Sequence, residues 1–237
     1  MNLTIASITL RGLLGRKRLF LLLPLPALLM GLAWLADGLG ASPHDWVGPI
    51  VGGLGFAVVL PVMALIVGTG VLGSEIDDGT VVHILTKPLP RTEIILAKLA
   101  VATGVTALVA GLPLLVVGLI AGDTRLGLGL FVAAIAGSFA YCGLFLALSL
   151  LTRRPVLVGL AYVLLWEGLL TNLLRGTRLL SVQQNVIAIA DKVSGSDLIT
   201  GTIAAPLAIG TLAVFAVGGT VLAIDRLRSF SVAGETS

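Results

Sequence analysis

The sequence predicts an all-α integral membrane protein with six transmembrane helices. Three observations carry that prediction: an apolar composition, six apolar stretches of spanning length, and an uneven distribution of basic residues. Of the 237 residues, 57% are hydrophobic and only 11% charged, and the mean hydropathy is +1.10. A soluble domain needs far more polar surface to cover its core, so a bilayer is the solvent this composition fits.

A helix that crosses ~30 Å of hydrocarbon at ~1.5 Å of rise per residue needs about 20 mostly apolar residues. Residues 19–36, 48–73, 99–121, 126–151, 156–174 and 202–224 qualify. What remains is short loops, so the chain reads as a single transmembrane domain over 1–237. Arg16, Lys17 and Arg18 precede the first apolar run as the basic region of a signal peptide would. Five further spans and no clean cleavage motif favour an uncleaved first span.

Basic residues orient the spans. Eleven of the 15 fall in one set of alternate segments: Arg11, Arg16, Lys17 and Arg18; Lys87, Arg91 and Lys98; Arg153 and Arg154; Arg226 and Arg228. The other set holds four, Arg125, Arg175, Arg178 and Lys192. The bias puts both termini and the 74–98 loop in the cytoplasm, across a plasma (inner) membrane.

Each element has a local reason. Leu3, Ala6, Leu10, Leu13 and Leu14 recur at helical spacing within 1–18, while Asn2, Ser7, Arg11 and Arg18 face elsewhere. That pattern suits an amphipathic helix on the inner membrane surface, or equally the anchored start of a long first span. Pro24, Pro26, Pro61, Pro113 and Pro206 sit inside spans, where each removes a backbone donor and can kink the helix. Gly48 with Gly52, and Gly118 with Gly122, give spacing that lets helices approach closely. Cys142, alone of its kind, excludes an intrachain disulfide and reads as a small core residue.

Within 175–201, Ser181 and Gln184 resemble a capping box. Val182, Val186, Ile189 and Val193 then form a stripe opposite Gln183, Asn185 and Lys192. Short helices on the outer surface, before the last span, are expected there.

The cytoplasmic loop at 74–98 is the most informative segment. Ser74 can cap a helix whose first turn holds Glu75, Asp77 and Asp78, the charge favoured at a helix N-terminus. Lys87-Pro88-Leu89-Pro90 must end it. Thr92 can cap a second helix, with Glu93 in its first turn, that leads into the third span. Val81, Val82, Ile84 and Leu85 remain as an apolar surface outside the bilayer. Such a helix can lie against the spans or insert into a partner's groove, and the pattern alone does not separate the two.

Glu75-Ile-Asp-Asp-Gly79-Thr80, followed by Leu85-Thr-Lys-Pro88-Leu-Pro90-Arg91 and Lys98, closely resembles the cytoplasmic loop of type 2 ATP-binding-cassette (ABC) transporter permeases. The six spans, the basic N-terminal segment and the outer helices before the last span fit the same resemblance. It implies that the loop is a coupling helix, with Glu75, Asp78, Gly79, Thr80, Val82, Ile84, Leu85, Pro88, Arg91 and Lys98 as ATPase-coupling residues. It also implies two copies of a cytoplasmic ATPase and a second permease, identical or homologous. ATP and Mg would bind on the ATPase, because no G-x-x-x-x-G-K-[ST] phosphate loop occurs in this chain.

Glu167 falls inside the fifth span, and an ionisable group at membrane depth suggests a pathway or structural polar role, or equally simple solvation where the helix end reaches outer water. Asn172 and Arg175 within two turns place it in the outer half. His44 and His83 fall on opposite sides of the membrane and share no metal ion. No catalytic residue set and no nucleic-acid platform is visible, which leaves lipids as the remaining partner. An ion-gradient-driven secondary transporter and a non-transporting scaffold are the rival readings, and intramembrane charge and ATP dependence discriminate them.

Overall fold

The computed structural model of the chain describes residues 9–10, 22–77, 90–173 and 175–232. Most of the expected amphipathic segment at 1–18, residues 78–89 of the cytoplasmic loop with Val81, Val82, Ile84 and Leu85, and His83 lie outside the described residues. The same holds for the side chains of 73–77.

Every regular element among the described residues is helical. Helix α1 is Pro24–Gly38. Helix α2 begins at Pro43–Val47 and continues through a wider, π-wound stretch, Gly48–Val59, into Leu60–Asp77. Helices α3 (Arg91–Ile120) and α4 (Thr124–Leu151) follow. Helix α5 starts at Pro155–Ala161, is π-wound over Tyr162–Leu170 and ends with Thr171–Leu173. After a 3-10 turn at Arg175–Leu180 come α6 (Val182–Ser194) and α7 (Ala205–Val232).

Among the described residues, four helical segments are long and apolar enough to cross a membrane: Pro43–Leu72, Arg91–Ile120, Thr124–Leu151 and Ala205–Leu227. The apolar segment Pro155–Leu170 and the 15 residues of α1 are shorter. Their outward faces carry large apolar side chains: Trp34 on α1 and Val214 on α7 are each 71% exposed. Lipid tolerates such a surface and water does not.

Helix starts follow proline chemistry more than capping. Pro24, Pro43 and Pro155 each open a helix, where the missing N–H is no loss. Pro24 and Pro26 therefore lie in a first turn, as does Pro206, whereas Pro61 and Pro113 occupy helix interiors, as does Pro49 within α2. Two expected caps are corrected. Residues 74–77 continue α2 without a break, so Ser74 caps no new helix. Pro90, not Thr92, stands at the cap position of α3, and the amide of Glu93 donates to its carbonyl at 2.9 Å.

Helix α4 is the hub and packs against α2, α3, α6 and α7. Glycines permit its closest crossings. A Cβ on Gly118 would stand 2.3 Å from the backbone of Gly127, and one on Gly219 would stand 2.5 Å from that of Gly143. Gly118 thus serves the close packing expected of it, whereas Gly48 and Gly52 have open space before them. Cys142 is fully buried within this hub, 3.4 Å from the Thr106 hydroxyl.

The segment before α7 departs most from expectation. Helix α6 does not lie along the surface. It runs antiparallel to α4, with Val186 over Gly137 and Ser194 over Gly129, so eight residues on one helix match eight on the other. Gln183 and Asn185, assigned to a solvent-facing side, are buried along with Val182 and Val186, while Val193 is 48% exposed. By that register the start of α6 aligns with Tyr141, about 25 Å along α4 from Thr124 at ~1.5 Å per residue. Helix α6 is re-entrant: its N-terminus points into the middle of the bundle.

Candidate functional site

Helix α5 places Glu167 at the buried start of α6, with 1% of its surface exposed. A lone buried carboxylate is costly, and here the cost is met by converging donors. The Tyr162 hydroxyl donates to Oε1 at 3.0 Å and the Val182 amide to the same oxygen at 2.9 Å. Ser181 Oγ–H donates to Oε2.

Winding explains how α5 presents two of these groups together. Tyr162 and Glu167 are five residues apart, and on an α-helix they would diverge by about 140° at ~3.6 residues per turn. Both lie in the π-wound Tyr162–Leu170 stretch, whose i→i+5 pitch brings them to one face. The second π-wound stretch, in α2, faces the same cluster: the Gly52 carbonyl accepts from Gln183 Nε2 at 3.2 Å.

On the α6 side, Glu167 acts as a cap supplied from another helix. Val182 is the first helical residue, so its amide has no partner within α6. Glu167 accepts it, and Ser181 Oγ accepts the Gln184 amide at 3.1 Å. A carboxylate at the positive end of a helix dipole adds to both bonds. Trp166 Nε1 donates to the Leu180 carbonyl at 3.2 Å, and Asn185 Nδ2 donates to the carbonyls of Leu179 and Ser181, each at 2.7 Å. An aromatic ladder supports the arrangement, with Tyr141 stacked on Phe145 at 5.8 Å and Phe145 edge-on to Tyr162 at 6.4 Å. The Tyr141 hydroxyl is fully buried and forms no hydrogen bond of normal geometry among the described residues.

The far end of α6 is fixed as well. Gly195 adopts φ +57° at its C-terminus, and Asp191 Oδ2 accepts the Gly201 amide at 2.8 Å. Asp123, which caps α4 through the Arg125 and Leu126 amides, is held below the ordinary carboxylate pKa first by a hydrogen bond from Ser196 and then by the Leu126 amide. Sequence reasoning did not single out Asp123, although an aspartate before an apolar helical run is a start signal.

Of the residues read as ATPase-coupling, Arg91 and Lys98 can be placed. Lys98 is 1% exposed, and its Nζ donates to the Val71 carbonyl at 2.6 Å, tying α3 to the last turns of α2. Arg91 Nη1 donates to the Leu227 carbonyl at 3.1 Å, tying the start of α3 to the end of α7. Both side chains reach other helices of this chain. Asp78, Gly79, Thr80, Val82, Ile84, Leu85 and Pro88, and the side chain of Glu75, lie outside the described residues. No grouping of metal-ligating side chains occurs among the described residues.

An all-helical chain with long lipid-facing helices and a buried polar cluster at mid-bundle defines a multi-pass membrane protein. The family described as "ABC-2 family transporter protein" matches residues 14–184, most of the chain, and the protein belongs to that family. It is therefore an ABC transporter membrane subunit. No curated protein matches the chain.

Proposed function

We propose that this chain is the six-span permease half of an ABC exporter in the plasma (inner) membrane, with both termini cytoplasmic. The family match over residues 14–184 carries the reading, since membrane proteins of this family generally work with an ATPase. Two ATPase subunits bind ATP and Mg, and a second permease, identical or homologous, completes the pathway. This chain performs no hydrolysis of its own. The 74–98 loop docks on the ATPase, and ATP-driven closure pushes it. Arg91 and Lys98, bonded to α7 and α2, then pass that displacement to the spans.

An ion-driven transporter would use a midplane carboxylate to bind its coupling ion. Glu167 is at a suitable depth, but its oxygens are occupied by two hydroxyls and an amide, which suits an anchor better than an ion site.

The test is co-expression with a Walker-type ATPase from an adjacent reading frame, followed by purification through a tag on this chain. Co-purification and nucleotide-dependent movement of solute in vesicles are expected. Solute movement driven by an ion gradient without nucleotide, or no ATPase in the complex, would overturn the reading.

A further inference from the structure

We propose that Glu167 is the latch of a movable re-entrant helix: it holds α6 seated in the bundle, and α6 leaves that seat when the outer end of the pathway opens. The proposal rests on the exporter reading and names the element that gates it.

Helix α6 is joined to its neighbours by non-α-helical chain on both sides, and at its far end that chain is held by the bond from the Gly201 amide to Asp191. A 3-10 turn, Arg175–Leu180, precedes its 13 residues, and a left-handed Gly195 followed by irregular chain to Ala205 succeeds them. It is continuous with no span. Its seat is lined by glycines: the Val186 side chain fills the notch at Gly137, beside Leu60, and Ser194 meets the bare backbone of Gly129.

At the inner end Glu167 takes the tip of the helix, beside the bonds from Gln183 to the Gly52 carbonyl and from Trp166 to the Leu180 carbonyl. Glu167 takes the Val182 amide and the Ser181 hydroxyl, the two groups at the tip of the helix, while Tyr162 donates to Oε1 from the far side. Incompletely bonded polar atoms sit in the same place: among the described residues Asn185 Oδ1 is fully buried with no hydrogen-bond partner, although Asn185 Nδ2 is satisfied twice, and the Tyr141 hydroxyl has none of normal geometry. Unsatisfied buried polar atoms oppose the seated state. Parting the tip of α6 from Glu167 breaks the charge-assisted bonds at the inner end while the helix itself stays intact.

The test places a thiol in the seat by Val186→Cys in a Cys142→Ser background. Its reaction with a membrane-impermeant maleimide is followed in the permease–ATPase complex in vesicles. The chain with native Cys142 alone reports general loosening. Labelling in the seat should be slow without ATP and faster during turnover. Ser181→Ala and Tyr162→Phe should each raise the ATP-free rate by about tenfold, as expected for losing a hydrogen bond to a charged group. Glu167→Ala should raise it further, and Glu167→Gln, which keeps an acceptor for the Val182 amide, should fall between. Cys142 should react equally slowly in every variant. An ATP-free rate unchanged by Ser181→Ala and Tyr162→Phe, or a parallel rise at Cys142, overturns the latch, and these two variants decide the matter even if Glu167→Ala fails to fold. Absence of the ATPase from the parent complex would instead overturn the exporter reading.

Discussion

Ser181 donates its hydroxyl to Glu167 from 14 residues further along the chain, and through that bond the start of one helix is capped by the middle of another. Helix starts usually find their caps locally. Here the local cap, Ser181 Oγ to the Gln184 amide, is retained, and the carboxylate is added to it. The α5–α6 connection is thereby folded into the bundle.

Removing the carboxylate should be costly. In Glu167→Ala the Val182 amide and the Ser181 and Tyr162 hydroxyls each lose an acceptor in a buried site. At about 1 to 3 kcal/mol per unsatisfied group, the loss should reach at least about 3 kcal/mol. Glu167→Gln keeps one acceptor oxygen and should cost less. Thermal unfolding of both variants in detergent is the measurement, and an alanine variant that melts with the parent would show that the carboxylate bears no structural load.

Lys98 should act from inside the bundle. Because its ammonium is buried and bonded to the Val71 carbonyl, Lys98→Met should leave ATPase co-purification intact. The variant keeps much of the stem packing but loses a hydrogen bond from a charged donor, a cost of about 1.5 to 3 kcal/mol. Coupling should suffer, seen as more ATP hydrolysed per solute moved. Loss of ATPase binding with coupling unchanged in the residual complex would contradict this.

How far the sequence could be read depended on whether a residue's surroundings lay near it in the chain. The long spans were legible because lipid demands apolar residues on all sides, a property of each stretch alone. The Ser181 cap was legible from its spacing to Gln184, and Glu167 stood out as an ion in an apolar run. Its depth and partners did not, because they depend on a chain reversal that brings residue 181 beside residue 167. Gln183 and Asn185 misled for a related reason. A polar stripe on a helix normally means water, yet here it meets the Gly52 carbonyl and the chain before α6. Lys98 was read as a loop flank, since nothing in the sequence shows its stem turning back to Val71.

Asp123 supplies a prediction with a defined pH window. Its pKa in the folded protein lies below the ordinary 3.8, so its stabilising effect is complete above about that pH and is lost as pH falls further. Asp123→Ala should therefore cost about 1 kcal/mol at neutral pH, the usual value of an N-cap. The gap between variant and parent should narrow only below about pH 4. Unfolding midpoints measured from pH 3 to pH 8 would test this, and a gap that closed near pH 6 would point to a different titrating group.

In the proposed reading the 74–98 loop carries load from ATPase to spans, and its two arms can be tested separately. Glu75 lies in the last turn of α2, ahead of a stretch whose apolar Val81, Val82, Ile84 and Leu85 suit insertion into a groove on the ATPase in that reading. Ile84→Ala should weaken docking, since burying an aliphatic side chain contributes ~1.5 to 3 kcal/mol and alanine forfeits most of it. Glu75→Lys should oppose any basic contact on the partner while leaving the apolar spans to insert normally. Arg91 lies at the other arm and reaches the Leu227 carbonyl, so Arg91→Gln should spare docking and lower transport per ATP. Co-purification and transport-coupled hydrolysis, measured side by side, separate the arms: loss of binding is expected for Glu75→Lys and Ile84→Ala, and loss of coupling with binding intact for Arg91→Gln. If Glu75→Lys and Ile84→Ala both bind and couple as the parent does, force enters the permease elsewhere. If Arg91→Gln releases the ATPase, the guanidinium is itself a docking group and its bond to α7 is secondary.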